Sequence, residues 1–137
     1  MSDEGARFVL VPNLMYQRVL VADDDADLLE TLATALVLLG ADVVRASSGA
    51  ELLEHLAEAG LFDLVITDVS MPWMTGLQVA HCARAAGLSV PVIVITGLDD
   101  ADIPDGVRRL GVHATLLRKP FDLEQLHAAM ERVAVTA

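Results

Sequence analysis

Apolar residues along this chain follow two periods in turn. Aliphatic and β-branched runs at residues 18–22, 42–46, 64–67, 90–96 and 115–118 have the length and composition of buried strands. Between them the apolar positions recur at helical spacing. Leu28, Leu29, Leu32, Leu36 and Leu39 form one stripe that Gly40 stops, and Leu52, Leu53 and Leu56 form a second, opened by Ser48-Gly49-Ala50-Glu51 and closed at Gly60. Thr75-Gly76-Leu77-Gln78 reads as a capping box for a third helix over 76–86 with an alanine-rich inner face, ended by Gly87. Asp122-Leu123-Glu124-Gln125 caps a final helix whose Leu123, Leu126, Met130 and Val133 share a face. Residues 97–110 are less regular: Asp99, Asp100 and Asp102 precede Ile103-Pro104-Asp105-Gly106, and proline and glycine both oppose a long helix. A shortened or late-starting fourth helix is expected there.

Five strands alternating with five helices imply parallel pairing through right-handed crossovers, an α/β fold with a doubly wound five-stranded parallel sheet between two helical layers. The almost wholly apolar run at 90–96 suits a central strand, with Pro91 near its start where it is tolerated. At 137 residues the chain fits one domain, expected over 16–137, with residues 1–15 read as an N-terminal tail or a strand-like arm. Hydrophobic residues make up 54% but aromatics only 4%, so the core has to be built from Val, Leu, Ile and Ala.

The net charge of −11 repels phosphate backbones, which argues against nucleic-acid binding and favours cations or basic partners. Cys82 is the only cysteine, so neither a disulfide nor a zinc site is available. No apolar run is long enough to span a membrane, and Phe8-Val9-Leu10-Val11 is too short for a signal peptide. A cytoplasmic location is the simplest reading.

Candidate chemistry lies where strands end. Asp23 and Asp24 follow the first strand, Asp68 the third, Thr96 the fourth and Lys119 the fifth, which puts all five at one edge of a parallel sheet. Met71-Pro72 bars a helix directly after Asp68, because the residue before proline is held extended. Three carboxylates gathered there repel by about 4 kcal/mol per pair at ~4 Å and an effective dielectric near 20, unless a cation sits among them. Mg²⁺ suits such a site, taking oxygen ligands and keeping waters that phosphoryl oxygens can replace. Lys119 supplies a movable positive charge, the Thr96 hydroxyl can donate to a phosphoryl oxygen, and Asp68 then reads as a carboxylate nucleophile toward phosphorus. Taken singly, each residue has an ordinary use: Asp23 and Asp25 as helix caps, Thr96 as a strand end, Lys119 as a solvated charge. These uses leave unexplained why each stands behind its own strand.

Val19-Leu20-Val21-Ala22-Asp23-Asp24-Asp25, Asp68-Val69-Ser70-Met71-Pro72 with Gly76, Thr96-Gly97 and Lys119-Pro120-Phe121 resemble, in order and spacing, the receiver domain of two-component response regulators over residues 17–135. The resemblance implies a flavodoxin-like (βα)5 fold with strand order 2-1-3-4-5. It implies that Asp68 is phosphorylated by a sensor histidine kinase or a histidine phosphotransfer protein, and that the output is a contact with a downstream protein target or a homodimer. It also implies Mg²⁺ ligated directly by Asp24 and Asp68, by Asp23 chiefly through water, and by the Ser70 backbone carbonyl. Thr96 and Lys119 would grip the phosphoryl group, and Lys119-Pro120 would be cis. The aromatic residue that such domains often carry three before the lysine is here Leu116, or Thr115 if counted from Gly111.

The competing reading is an enzyme, a small Mg²⁺-dependent phosphohydrolase with its aspartate nucleophile after the first strand and Asp23-Asp24-Asp25 supplying the acidic pair. It lacks room for a substrate-covering cap domain. A calcium loop starting at Asp23 fails on spacing, since Leu28 and Thr34 occupy the glycine and glutamate positions. A flavin or nucleotide site lacks a glycine-rich loop after strand one. With no residues left after the fifth helix for an output domain, the chain is expected to be a stand-alone receiver or the receiver of a longer regulator or hybrid kinase.

Overall fold

The computed structural model describes residues 17–57, 62–97 and 101–134. Among them five strands alternate with five helices. The strands are β1 (Arg18–Ala22), β2 (Asp42–Ala46), β3 (Leu64–Asp68), β4 (Val92–Thr96) and β5 (Ala114–Arg118). The helices are α1 (Ala26–Leu38), α2 (Gly49–Ala57), α3 (Gly76–Ala85), α4 (Asp102–Arg108) and α5 (Leu123–Val133). All strand pairs are parallel and the sheet order is β2-β1-β3-β4-β5, the expected flavodoxin-like arrangement.

Alternation along the strands divides the core in two. Val19 and Val21, Leu64 and Ile66, and Ile93 and Ile95 face a layer made by Leu29, Leu32 and Leu36 of α1 and Leu126, Met130 and Val133 of α5. Leu20, Val65, Val92 and Val94 face the other layer, made by Leu52 of α2, Val79 and Ala80 of α3, and Ile103 and Val107 of α4. β3 and β4 are buried along their whole length. Burying a single aliphatic side chain of this kind contributes about 1.5–3 kcal/mol, so these two strands anchor the sheet.

The chain enters β1 through a local clamp: Asp63 Oδ2 accepts the N–H groups of Gln17 and Arg18 at 3.0 and 2.8 Å, and the Arg18 guanidinium lies 4.7 Å from the centre of the Phe62 ring. Helix ends follow the sequence signals closely. Asp25 caps α1, and Thr75–Gln78 and Asp122–Gln125 are reciprocal capping boxes. Gly40 and Gly87, past the ends of α1 and α3, take positive φ. At α2 the expected box is split: Ser48 Oγ accepts from the Glu51 N–H, but the Glu51 carboxylate reaches back to the N–H and hydroxyl of Ser47.

Some expectations shift. β4 begins at Val92 rather than 90, because Pro91 has no N–H to donate to the ladder, although its carbonyl accepts the Val65 N–H at 2.9 Å. α4 is short, as expected, but Pro104 lies in its first turn, where its missing N–H has no helical partner to lose. Leu123, expected on the inner face of α5, is 66% exposed, because it starts the helix beyond the end of the sheet. Gly60, Asp99, Asp100 and residues 1–15 lie outside the described residues.

Candidate functional site

Sheet register brings the strand-end residues together. Ala22 of β1 pairs with Thr67 of β3, so the residues that follow, Asp23 and Asp68, leave adjacent strands side by side. Neighbouring strands lie about 4.8 Å apart, so two carboxylates there cannot avoid each other. Asp68 pairs with Ile95, Thr96 with Arg118, and the Lys119 N–H donates to the Thr96 carbonyl at 2.8 Å. Asp23, Asp68 and Lys119 also continue the parity of Val21, Ile66 and Leu117, the side covered by α1 and α5.

Side chains complete the cluster. Lys119 Nζ donates to Asp68 Oδ2 at 3.1 Å and stands 3.8 Å from Asp23 Oδ2. Asp68 Oδ1 accepts the Ser70 N–H at 3.2 Å, and Asp23 Oδ1 accepts the Asp25 N–H at 2.9 Å. Asp23, Asp24 and Asp68 each offer an oxygen within 4.8 Å of the others. Asp23 and Asp68 are buried and Asp24 is exposed, which gives the pocket a closed floor and an open lip. Thr96 is buried at the end of β4, and Ser70 is exposed just past Asp68. The Lys119–Pro120 bond is cis.

The electrostatics are out of balance. Three carboxylates meet one ammonium, which leaves the pocket two negative charges in excess. Burial pushes the Asp23 carboxyl up to about 6, and the nearby Asp68 charge adds to the rise. Burial opposes the Lys119 charge, but the Asp68 hydrogen bond and the surrounding carboxylates outweigh it and hold the ammonium above its ordinary value. Asp23 Oδ2 is buried without a hydrogen-bond partner. An orphaned buried carboxylate oxygen facing two further carboxylates fits a hard divalent cation of the Mg²⁺ kind, which would satisfy the oxygen and cancel the excess charge.

Asp25, which the phosphohydrolase reading needs in the pocket, caps α1 instead: its Oδ1 accepts the N–H groups of Asp27 and Leu28 at 3.0 and 3.2 Å. The position three before Lys119 is settled by the strand register. Leu116 lies opposite Val94 and packs in the layer with α4, while Thr115 lies opposite Ile93, so no residue is inserted within β5.

Sequence reasoning missed what holds the loop at 69–75. Gly76 lies so close to Thr67 Oγ1 and the Asp68 carbonyl that a Cβ there would overlap both, and a Cβ on Gly49 would overlap the Met74 carbonyl. The signal was present: glycine is a poor choice in a first helical turn unless another backbone passes close by.

A family model described as the response regulator receiver domain matches residues 19–131. Response regulator MprA of Mycobacterium ulcerans is 38% identical over 117 residues, 85% of this chain and 49% of that relative. Transcriptional regulatory protein TctD of Salmonella typhimurium is 35% identical over 114 residues, 82% of this chain and 50% of its own length. The chain thus spans about half the length of the curated relatives it matches. Among solved structures, a response regulator receiver domain protein from Clostridium thermocellum superposes with a TM-score of 0.77 at 28% identity, covering 85% of this chain and 93% of that one. Chemotaxis response regulator CheY4 of Vibrio cholerae gives 0.75 at 29% identity, covering 85% and 98%.

Proposed function

Since the chain belongs to the response regulator receiver domain family, we propose that it takes a phosphoryl group on Asp68 from a phosphorylated histidine of a sensor kinase or phosphotransfer protein. The observation that carries this reading is the convergence of a buried Asp68 with Lys119 at 3.1 Å inside a three-carboxylate cluster. Mg²⁺ would be held by Asp23, Asp24, Asp68 and the Ser70 carbonyl. When bound, it supplies the positive charge that lets an anionic carboxylate meet an anionic phosphoryl group.

The chain's own residues do the rest. The Ser70 N–H and the Lys119 ammonium hold the two Asp68 oxygens in place, so one oxygen can attack in line without first being ordered. A P–O bond to Asp68 forms as the P–N bond to the donor imidazole breaks, and the imidazole nitrogen keeps the electron pair and takes up a proton. Lys119 then pairs with the transferred phosphoryl oxygens, and the Thr96 hydroxyl donates to one of them. The added charge of about −1.5 to −2 at the end of β3 alters contacts with a downstream protein target or a second copy. In this reading the domain is a cytoplasmic signalling switch that assists its own phosphotransfer and dephosphorylation. None of the described helices is long and apolar enough to cross a membrane.

Intact-mass measurement tests the proposal. Incubation with Mg²⁺ and acetyl phosphate is expected to add one phosphoryl group to the wild type and none to Asp68→Asn, and chelating the metal is expected to suppress the reaction. An unmodified wild type would remove this function.

A further inference from the structure

Most large exposed hydrophobics among the described residues lie on helices or at the amino edge of the sheet, but Trp73 stands on the loop that leaves Asp68. Its side chain is fully exposed, and its backbone sits at φ 70°, a region that costs a residue with a Cβ about 1 kcal/mol or more. The Met74 N–H donates to the Pro72 carbonyl at 2.8 Å, closing a γ-turn around Trp73 and aiming the indole away from the protein. Among the described residues, none covers the indole.

The loop is short and tied at both ends. It departs from Asp68 and returns at Gly76, whose Cα lies against the Asp68 carbonyl. Three residues span at most about 11 Å, so Trp73 remains within one side chain's reach of the pocket mouth. A small phosphodonor needs only the pocket residues for transfer. A protein that presents a phosphorylated histidine has to cover the rim. A second copy of this chain is a poor occupant, since two surfaces of net charge −11 repel through their acidic pockets.

We propose that Trp73 is the anchor by which a phosphohistidine-bearing donor protein docks over Asp68, a residue that sets specificity for protein donors over small ones. The proposal rests on the phosphoacceptor role of Asp68. Exposed tryptophans are favoured anchors because they bury a large apolar area at a small entropic cost, and removing one typically weakens an interface about tenfold or more.

The experiment compares two donors on four proteins. The donors are acetyl phosphate and the autophosphorylated histidine kinase that, in a panel of purified kinases, transfers fastest to the wild type. The proteins are the wild type, Trp73→Gly, Trp73→Phe and Val112→Ala. Glycine suits the positive φ, so folding is retained, and Val112 is 84% exposed at the opposite edge of the sheet, ahead of β5. For Trp73→Gly, kcat/KM from the kinase is expected to fall about tenfold while kcat at saturating kinase and the acetyl phosphate rate stay within about twofold. Trp73→Phe is expected to recover most of the loss, and Val112→Ala to match the wild type with both donors. Equal losses with both donors, no loss with the kinase, or transfer from acetyl phosphate but from no kinase would each overturn the proposal. A wild type that accepts phosphate from neither donor removes the phosphoacceptor reading, and this proposal with it.

Discussion

The helices that follow β3 and β4 each come after a proposed site residue, Asp68 and Thr96, yet their entrances differ. The entrance to α3 has a reciprocal capping box, two close-approach glycines and the Ser70 N–H on Asp68. The entrance to α4 begins at Ala101, which has no side chain able to cap, and the helix runs for only 7 residues with Pro104 and Gly106 inside it. Among the described residues, one helix entrance is capped by side chains and the next is not. In the proposed function, a pocket that keeps three carboxylates in place is served by a capped helix entrance, and a helix that responds to new charge beside Thr96 is served by an uncapped one.

The same substitution in both helices is the sharpest way to break this contrast. Gly76→Ala drives a methyl into the Asp68 carbonyl, a backbone atom that cannot move without moving the acid, and is expected to cost about 2–4 kcal/mol in urea denaturation. Gly106→Ala meets only the terminal methyl of Leu77, which can rotate, and gains helix propensity, so stability is expected to stay within about 1 kcal/mol of wild type. Equal costs would mean that the two helices are held alike.

Next in size is the buried charge of Asp23, which lies beside Asp68 at the end of β1. In the folded protein the Asp23 carboxyl titrates at about 6 against an ordinary 3.8, so the folded state binds this proton more tightly than the unfolded chain. The Asp23 contribution to metal-free stability is therefore fully present below the ordinary value and lost as pH rises through about 6. Asp23→Asn keeps the acceptor for the Asp25 N–H and removes the buried charge. It is expected to raise metal-free stability by about 1–2 kcal/mol at pH 7, with the gain fading by pH 4, and to abolish the rise in Tm that Mg²⁺ gives the wild type. A variant less stable than the wild type at pH 7 would show that Asp23 is not held under repulsion.

Smallest are the caps themselves. Thr75→Ala is expected to cost about 1 kcal/mol, whereas Ala101→Asp is expected to add about 0.5 kcal/mol and slow amide exchange across α4. Urea curves and hydrogen exchange on the two variants would show whether the asymmetry lies in the caps or elsewhere in the loops.

Much of this protein could be read from its sequence, because the signals concerned are local. Strand and helix order follows from period, Asp25, Thr75 and Asp122 cap where their spacing says, and the short α4 is written in Pro104 and Gly106. Asp23, Asp24, Asp68, Thr96 and Lys119 stand out as candidates because they fall at strand ends, a property of position along the chain. Sheet order was not available from composition and came only through resemblance, since parallel strands of Val, Leu and Ile do not say which neighbour they choose. Tertiary structure alone decided that Asp23 Oδ2 is left without a hydrogen-bond partner, that Gly49 and Gly76 are pressed against a distant backbone, that Leu123 is exposed, and that Trp73 is turned into solvent at the rim. Those facts depend on which remote segments come within a few ångströms of each other, and local periodicity and capping carry no record of such approaches.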